Sequence, residues 1–307
     1  MIIRDWLRLL RLPNLATAAA DVLAGFLVVA RPQALELPPA ACWWAVAAGL
    51  CLYAGGIVLN DVCDVELDRV ERPERPLPSG AIGVHKAALV GSCLLAAGSA
   101  AACATAIVAR SPGPALVGAG LTAAVWLYDR HAKPTLAGPF VMGACRGLNW
   151  LLGMTAAGGA IGSLWTIPLG MALYVAGITL YARDEAGRSR AATLLGGLAV
   201  MGLGLAVASR FIWPAVDAGA NLRESPLPAS NWLVLWGILG TSILLRGLIG
   251  VLDPSPRRVQ AAVGNAIMSI ITLDAVLVLA FCGERWAVVL LLLLPLFLFG
   301  RRLVPPT

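Results

Sequence analysis

Charged residues are scarce in this chain of 307 residues: Lys, Arg, Asp and Glu together make up 13% of it, whereas a soluble domain carries roughly 25%. Hydrophobic residues account for 59%, and the mean hydropathy is +0.82. So few charges cannot cover a soluble surface, which excludes a cytosolic globular enzyme, a disordered chain and a fibrous repeat. A membrane barrel is excluded because the apolar runs are continuous and do not alternate. The composition predicts an all-α membrane protein with many spans.

Cysteine pairs at metal-binding spacing are lacking as well. The seven cysteines form no CxxC pair, their number is odd, and all lie in or beside apolar runs. They are therefore predicted to be small buried apolar residues, and neither a disulfide framework nor a zinc site is expected.

Ten apolar runs follow one another, and each is a candidate span of roughly 20 residues. The runs at 113–128 and 286–300 are short, so the last is expected either to span the membrane or to lie in its interface. Met1–Arg11 is predicted to be an interfacial helix. Asp21 interrupts the first run, which is interpreted as an uncleaved helix rather than a signal peptide. The runs lie at about 15–30, 39–59, 86–109, 113–128, 137–157, 164–182, 191–213, 231–251, 259–281 and 286–300.

The basic residues are distributed unevenly between the loops. With ten spans and the N-terminus inside, sixteen Lys and Arg residues fall on the inner side and five on the outer side. This bias predicts a multi-pass protein of the cell's inner or plasma membrane with inner loops in the cytoplasm. The net charge of +6 follows from the same bias, and because the basic residues do not cluster, no nucleic-acid partner is expected. No soluble segment or long linker divides the chain, so we expect a single domain over residues 1–307.

Three carboxylates recur at the end of the second run. Asp61, Asp64 and Asp68 are spaced three and four residues apart and would share one helical face, with Asn60 at its flank. Grouped carboxylates repel one another unless a cation lies between them, and Mg²⁺ prefers oxygen ligands shared with a substrate phosphate. The spacing therefore predicts a site for Mg²⁺ and a diphosphate at the inner mouth of a helical bundle. The alternative is a solvated acidic loop.

Basic residues on the same side favour the diphosphate site over the acidic loop. Arg72 and Arg75 follow the carboxylates directly, and the next inner loop carries Arg130 and Lys133. Carboxylates for a metal and cations for phosphate oxygens would form one constellation.

The segment NDVCDVELDRVERPERPLPSG, residues 60–80, resembles the first aspartate-rich motif of the UbiA superfamily of intramembrane prenyltransferases. The Arg-Leu-Pro-Asn run ending at Asn14 and the Arg146 to Asn149 segment also resemble that family, and the likeness extends over roughly 8–281. The resemblance implies nine membrane helices around a central cavity, Mg²⁺ as cofactor, and a prenyl diphosphate whose prenyl group alkylates a lipophilic, often aromatic, acceptor.

The resemblance also implies roles for individual residues. The residues expected to be catalytic and to bind metal are Asp61, Asp64, Asp68 and Asp184. The residues expected to bind substrate are Asn14, Asn60, Arg72, Arg75, Tyr128, Arg130, Lys133, Arg146, Asn149 and Arg188.

Two departures from the family pattern stand out. Tyr128 and Lys133 are five residues apart where the family has four. Arg188 stands where the second motif has its second acid, four residues after Asp184, which puts the second metal site in doubt. Arg188 could instead act as a fixed cation against the diphosphate.

Four polar residues fall inside apolar runs: Asp21, Arg146, Asn149 and Asp274. Such residues usually face the bundle interior and serve function. The structural alternative is a buried pair between Arg146 and a carboxylate.

Together these features predict a membrane enzyme that transfers a prenyl group with Mg²⁺. Two alternatives remain open at this stage. One is a UbiA-like terpene cyclase, which ionises the same substrate without an acceptor. The other is a non-catalytic membrane protein that binds prenyl diphosphates or lipids, which the altered second motif keeps open.

The charge distribution makes a topological prediction: residues 60–80, 128–135 and 183–190 should share the cytoplasmic face. Single cysteines placed in these segments of a cysteine-free variant should react with an impermeant thiol reagent only in inside-out vesicles. Labelling of any one segment from the outer side would contradict both the orientation and the shared site.

Overall fold

The computed structural model describes residues 2–32, 34–183, 189–220 and 227–303. All regular structure in these ranges is helical, which confirms the predicted all-α class. The helices are α1 (Ile2–Leu9), α2 (Leu12–Ala30), α3 (Ala40–Cys63), α4 (Val65–Glu71), α5 (Val84–Ala109), α6 (Gly113–Leu127), α7 (Gly138–Ala156), α8 (Thr166–Tyr181), α9 (Ala191–Ala208), α10 (Trp213–Asp217), α11 (Ala229–Leu252), α12 (Pro256–Leu291) and α13 (Leu293–Leu303).

The predicted apolar runs coincide with helices, except near the C-terminus. The expected break before 286–300 is displaced: α12 continues to Leu291 through a bend at Gly283, whose φ of 73° suits glycine. The chain then enters α13, which packs against α2. Seven helical segments in the described ranges are long and apolar enough to cross a membrane. The expected count of nine to ten spans stays a prediction.

Within the described ranges, nine helices pack side by side in a ring. They follow chain order as α2, α3, α5, α6, α7, α8, α9, α11 and α12, and α12 closes the ring against α2. Sequential antiparallel packing is the usual result of short connections between membrane helices. The helices α2 and α7 also contact each other across the ring.

Small residues allow the close contact between α2 and α7. Gly25 on α2 lies against the backbone of Trp150, and a Cβ on Gly153 would overlap the carbonyl group of Val22. In lipid, helix association relies on such close backbone contact because the hydrophobic effect does not favour it. The contact therefore packs α2 and α7 backbone against backbone at this depth.

A buried polar cluster lies beside that contact. Arg146 pairs with Asp21 at 2.8 Å, which confirms the predicted alternative of a buried pair. The Asn149 amide donates to the Ala18 carbonyl at 2.9 Å and to Asp21 at 3.1 Å. Asp274 on α12 is fully buried next to the same group. The cluster joins α2, α7 and α12 by polar contacts inside the apolar bundle.

Hydrogen bonds from buried aromatic side chains join the later helices. Tyr174 and Tyr181 on α8 donate to the carbonyls of Ala266 and Gly247, and Trp232 on α11 donates to the carbonyl of Val276. Because lipid offers no partner for these groups, they must be satisfied inside the bundle.

No disulfide joins the seven cysteines, and the thiol of Cys282 donates to the Leu27 carbonyl. Cys63, Cys93 and Cys103 are exposed on the protein surface, however, so the prediction of burial is wrong for these three. Cys93 and Cys103 lie on α5, and a thiol on such an apolar helix is compatible with contact to lipid.

The α2–α7 contact predicts that Gly153→Ala destabilises the bundle. The added methyl group meets backbone, which cannot move as a side chain can, so we expect a loss of about 1–3 kcal/mol in the free energy of unfolding. Thermal unfolding in detergent measures this loss. Gly237→Ala on α11 is the matched control, because a Cβ there meets nothing within 4 Å, and its melting temperature should not fall.

Candidate active site

A cavity of about 740 Å³ opens at one end of the ring between α2, α3, α6, α7, α8 and α12. Its mouth is charged and its interior is mostly apolar. The mouth is lined by Arg11, Asn60, Asp64, Asp68, Glu71, Arg72, Arg75, Asp129, Lys133 and Arg183. The interior is lined mainly by Leu52, Ile57, Leu121, Val125, Met142, Val175, Ile178, Val263, Ile267 and Ile270.

The three carboxylates of the first motif do not share one continuous helix, in contrast to the sequence prediction. Asp61 lies in the last turn of α3, Asp64 is the junction residue, and Asp68 lies in α4. The chain stays close to helical across the junction, because the Asp64 amide bonds to the Asn60 carbonyl at 3.0 Å and the Asp68 amide to the Asp64 carbonyl at 2.8 Å. The junction still separates the carboxylates into different surroundings.

Asp61 is withdrawn from the cavity into a cluster of buried ion pairs. Arg11 donates to Asp61 at 2.9 Å, and the Arg75 guanidinium lies 3.7 Å from the same oxygen and 2.8 Å from Asp68. Arg75, Asp61 and Asp68 are all buried. Arg75 therefore bridges two carboxylates that would otherwise repel each other.

Arg11 is held in an uncommon backbone conformation. It has a φ of 45° in the turn between α1 and α2, which costs energy for a residue with a side chain and is often found at functional sites. The turn brings its guanidinium to the mouth of the cavity, where it meets Asp61. Arg11 was not singled out as a site residue in the sequence, although its basic, proline-flanked position offered a signal.

Asp64 faces the cavity and pairs with Lys133. The same ammonium group donates to Asn60 Oδ1 at 3.2 Å. Lys133 thus lies between two oxygen atoms that belong to the first motif. A cation already neutralises Asp64 here, as Arg11 and Arg75 neutralise the other two carboxylates.

The five-residue spacing of Tyr128 and Lys133 has a structural explanation. Tyr128–Ala132 forms a π-helical turn, and the Lys133 amide bonds to the Tyr128 carbonyl at 3.1 Å. A π-turn accommodates one extra residue per helical turn, and such turns are frequent at functional sites. Both side chains consequently line the cavity. Arg130, in contrast, is exposed and does not line it.

Asp129 is a mouth residue that the sequence prediction missed. The Asn60 amide donates to its Oδ1 at 2.9 Å. Burial raises the pKa of Asp129 to about 6, and the hydrogen bond from Asn60, which favours the carboxylate, opposes that rise. The signal available in the sequence was an acid inside an otherwise basic inner loop.

One wall of the cavity is polar well below the mouth. Asn14 and Thr17 of α2, Tyr53 of α3, and Arg146 and Asn149 of α7 line it. Of these, Asn14, Arg146 and Asn149 were predicted from the sequence to bind substrate, and the structure places them along the same wall.

The second predicted acidic motif, with Asp184 and Arg188, lies outside the described residues. Arg183 immediately before them lines the mouth and donates to the Pro134 carbonyl at 3.2 Å. Arg72 lines the mouth as well. The mouth thus gathers five cationic side chains around the cavity-facing carboxylates: Arg11, Arg72, Arg75, Lys133 and Arg183.

The donor chemistry at the mouth fits Mg²⁺. Asp64 and Asp68 present carboxylate oxygens to the cavity, and Mg²⁺ is commonly held by one or two carboxylates together with substrate phosphates. In the described part of the chain, no three acidic, histidine or cysteine side chains converge to hold a metal without help. A metal here would need oxygen atoms from the substrate as well.

Residues 21–263 match the UbiA prenyltransferase family. The chain is similar to a digeranylgeranylglyceryl phosphate synthase of Sulfolobus acidocaldarius, with 29% identity over 80% of this chain and 86% of the relative.

Two solved structures are similar in fold. A structure described for digeranylgeranylglyceryl phosphate synthase in membranes has a TM-score of 0.64 and 20% identity, covering 91% of this chain and 99% of that one. A UbiA homolog from Archaeoglobus fulgidus bound to GPP and Mg²⁺ has a TM-score of 0.54 and 16% identity, covering 89% and 99%. At these identities the likeness bears on the fold alone.

The bridging position of Arg75 predicts that Arg75→Met destabilises the protein. Removing the guanidinium leaves two buried carboxylates without a shared cation, and we expect a loss of about 3 kcal/mol in the free energy of unfolding. Thermal unfolding at neutral pH measures it. Lys133→Met, which affects a partly exposed pair, should cost much less; an equal cost for both variants would contradict the bridging role.

Proposed function

The chain belongs to the UbiA prenyltransferase family, and we propose that it transfers a prenyl group from an isoprenoid diphosphate, bound with Mg²⁺ at the charged mouth, to a lipophilic acceptor inside the cavity. The observation that carries this proposal is that one cavity combines a charged mouth with an apolar interior. A prenyl diphosphate has the same division between a charged head and an apolar tail.

The diphosphate is assigned to the cations of the mouth. Lys133, Arg72 and Arg183 line the cavity there, and their donors suit phosphate oxygens. Asp64 and Asp68 would hold Mg²⁺ together with those oxygens. When bound, Mg²⁺ neutralises charge on the diphosphate and makes it a better leaving group. Asn60 and Tyr128 lie beside the same position and can orient the diphosphate by hydrogen bonds.

The transfer breaks the bond between C1 of the prenyl group and the diphosphate oxygen, and forms a bond from C1 to the acceptor, which loses a proton. The positive charge that develops on the prenyl group is vulnerable to water. Apolar residues of α6, α8 and α12 line the cavity below the mouth and would keep water away from it.

The acceptor is proposed to be a lipid. The similar protein of Sulfolobus acidocaldarius is named for a glyceryl phosphate that carries two geranylgeranyl groups, so a glyceryl phosphate lipid is the first acceptor to test. An aromatic acceptor is the second. The polar wall formed by Asn14, Tyr53 and Asn149 could contact the polar group of either.

The chain is an integral multi-pass membrane protein, and we propose that the charged mouth faces the cytoplasm. The excess of basic residues in the loops predicted to lie on the inner side supports this orientation. An acceptor and a prenyl tail would reach the interior from the membrane, while the diphosphate remains at the aqueous face.

The proposal predicts release of pyrophosphate when purified protein is given Mg²⁺, a labelled C10–C20 prenyl diphosphate and a glyceryl phosphate lipid. The labelled prenyl group should appear on the lipid. Asp64→Ala should abolish both events, whereas Glu66→Gln on the exposed side of α4 should leave them unchanged.

Other products would identify the rival functions. Pyrophosphate and a cyclic hydrocarbon in the absence of any acceptor would indicate a terpene cyclase. Binding of the diphosphate without release of pyrophosphate, with every acceptor tried, would contradict the transferase.

A further inference from the structure

Asp129 occupies a distinctive place at the mouth. It lies in the π-helical turn between α6 and α7, and its side chain lines the cavity. One carboxylate oxygen accepts a hydrogen bond from Asn60. The other, Oδ2, is shielded from solvent and has no hydrogen-bond partner among the described residues. A shielded carboxylate oxygen without a partner is costly, so a water molecule, a metal ion or another ligand is expected to satisfy it.

The surroundings of Asp129 include the amide group of Asn60 and the ammonium group of Lys133. Asn60 connects Asp129 to Lys133, because its amide nitrogen donates to Asp129 while its amide oxygen accepts from the lysine. Lys133 also pairs with Asp64. The ammonium therefore lies between an oxygen of Asn60 at the end of α3 and an oxygen of Asp64 at the α3–α4 junction, which is a position that suits a cation.

We propose that Asp129 supplies a further carboxylate oxygen to the metal side of the diphosphate site. The inference rests on the proposed function. The Lys133 ammonium neutralises Asp64, and phosphate oxygens would offer this ammonium an alternative partner. Asp64 at the α3–α4 junction and Asp129 in the π-turn would then face the metal from two different elements. Mg²⁺ bound with phosphate commonly uses one or two carboxylates.

A purely structural role for Asp129 would be to orient Asn60. The two roles differ in whether they need the charge. Asp129→Asn keeps an oxygen that can accept the Asn60 hydrogen bond but removes the negative charge. Asp129→Glu keeps the carboxylate and changes only its reach. The pair of variants therefore separates charge from hydrogen bonding.

The experiment measures binding of geranyl thiodiphosphate, whose C–S bond resists ionisation, to the purified full chain by calorimetry over a series of Mg²⁺ concentrations. For Asp129→Asn we expect the Mg²⁺ concentration at half-saturation to rise about tenfold or more. Asp129→Glu should stay closer to the unaltered protein. Loss of free Mn²⁺ signal in electron paramagnetic resonance gives a second readout of the same metal site.

The control is Glu66→Gln, which removes an exposed carboxylate from α4 outside the cavity and should leave the Mg²⁺ dependence unchanged. If Asp129→Asn folds and binds with an unchanged Mg²⁺ dependence, the inference is overturned. Should Asp129→Asn fail to fold, an unchanged Mg²⁺ dependence in Asp129→Ser would overturn it equally. If the unaltered protein itself binds the analogue without any need for Mg²⁺, the failure lies in the proposed function instead.

Discussion

Neutralisation of carboxylates by cations at the cavity mouth is the interaction on which the rest of the site depends. Asp61, Asp64 and Asp68 would repel one another at the end of an apolar helix. Arg75 bridges two of them and Lys133 pairs with the third. These pairs hold the end of α3, the helix α4 and the π-turn together. In the proposed reaction, substrate phosphates and a metal would exchange partners with these paired charges.

The depth of the cavity depends on a second constraint, the close approach of α2 and α7. Gly25 and Gly153 bring the two backbones together, and the Asp21–Arg146 pair lies beside this contact. On the side of this contact away from the mouth the bundle is packed. On the side towards the mouth the helices diverge enough to leave the cavity. Charged side chains therefore lie at the mouth, where water reaches them, and apolar side chains line the deeper part of the cavity.

The sequence predicted the helices well because each long apolar run has a single solution in a membrane, where all backbone groups must be bonded internally. It predicted the junctions between helices less well. The break at Asp64, the continuation of α12 through Gly283 and the withdrawal of Asp61 from the cavity all depend on contacts between distant segments. Asp129 was missed for the same reason: its role is visible only beside Asn60, 69 residues earlier in the chain.

Composition and the long apolar runs by themselves determined the class of protein, and the aspartate-rich segment at 60–80 pointed to its family by resemblance, since these depend on residue type and local pattern. Tertiary structure decided which carboxylates face the cavity, which cations hold them, and how an extra residue between Tyr128 and Lys133 is absorbed as a π-turn. The physical reason is that a carboxylate's role depends on the charges within a few ångströms of it. At this mouth those charges come from the α1–α2 turn, the loop after α4 and the residue that follows the π-turn, which only the folded bundle brings together.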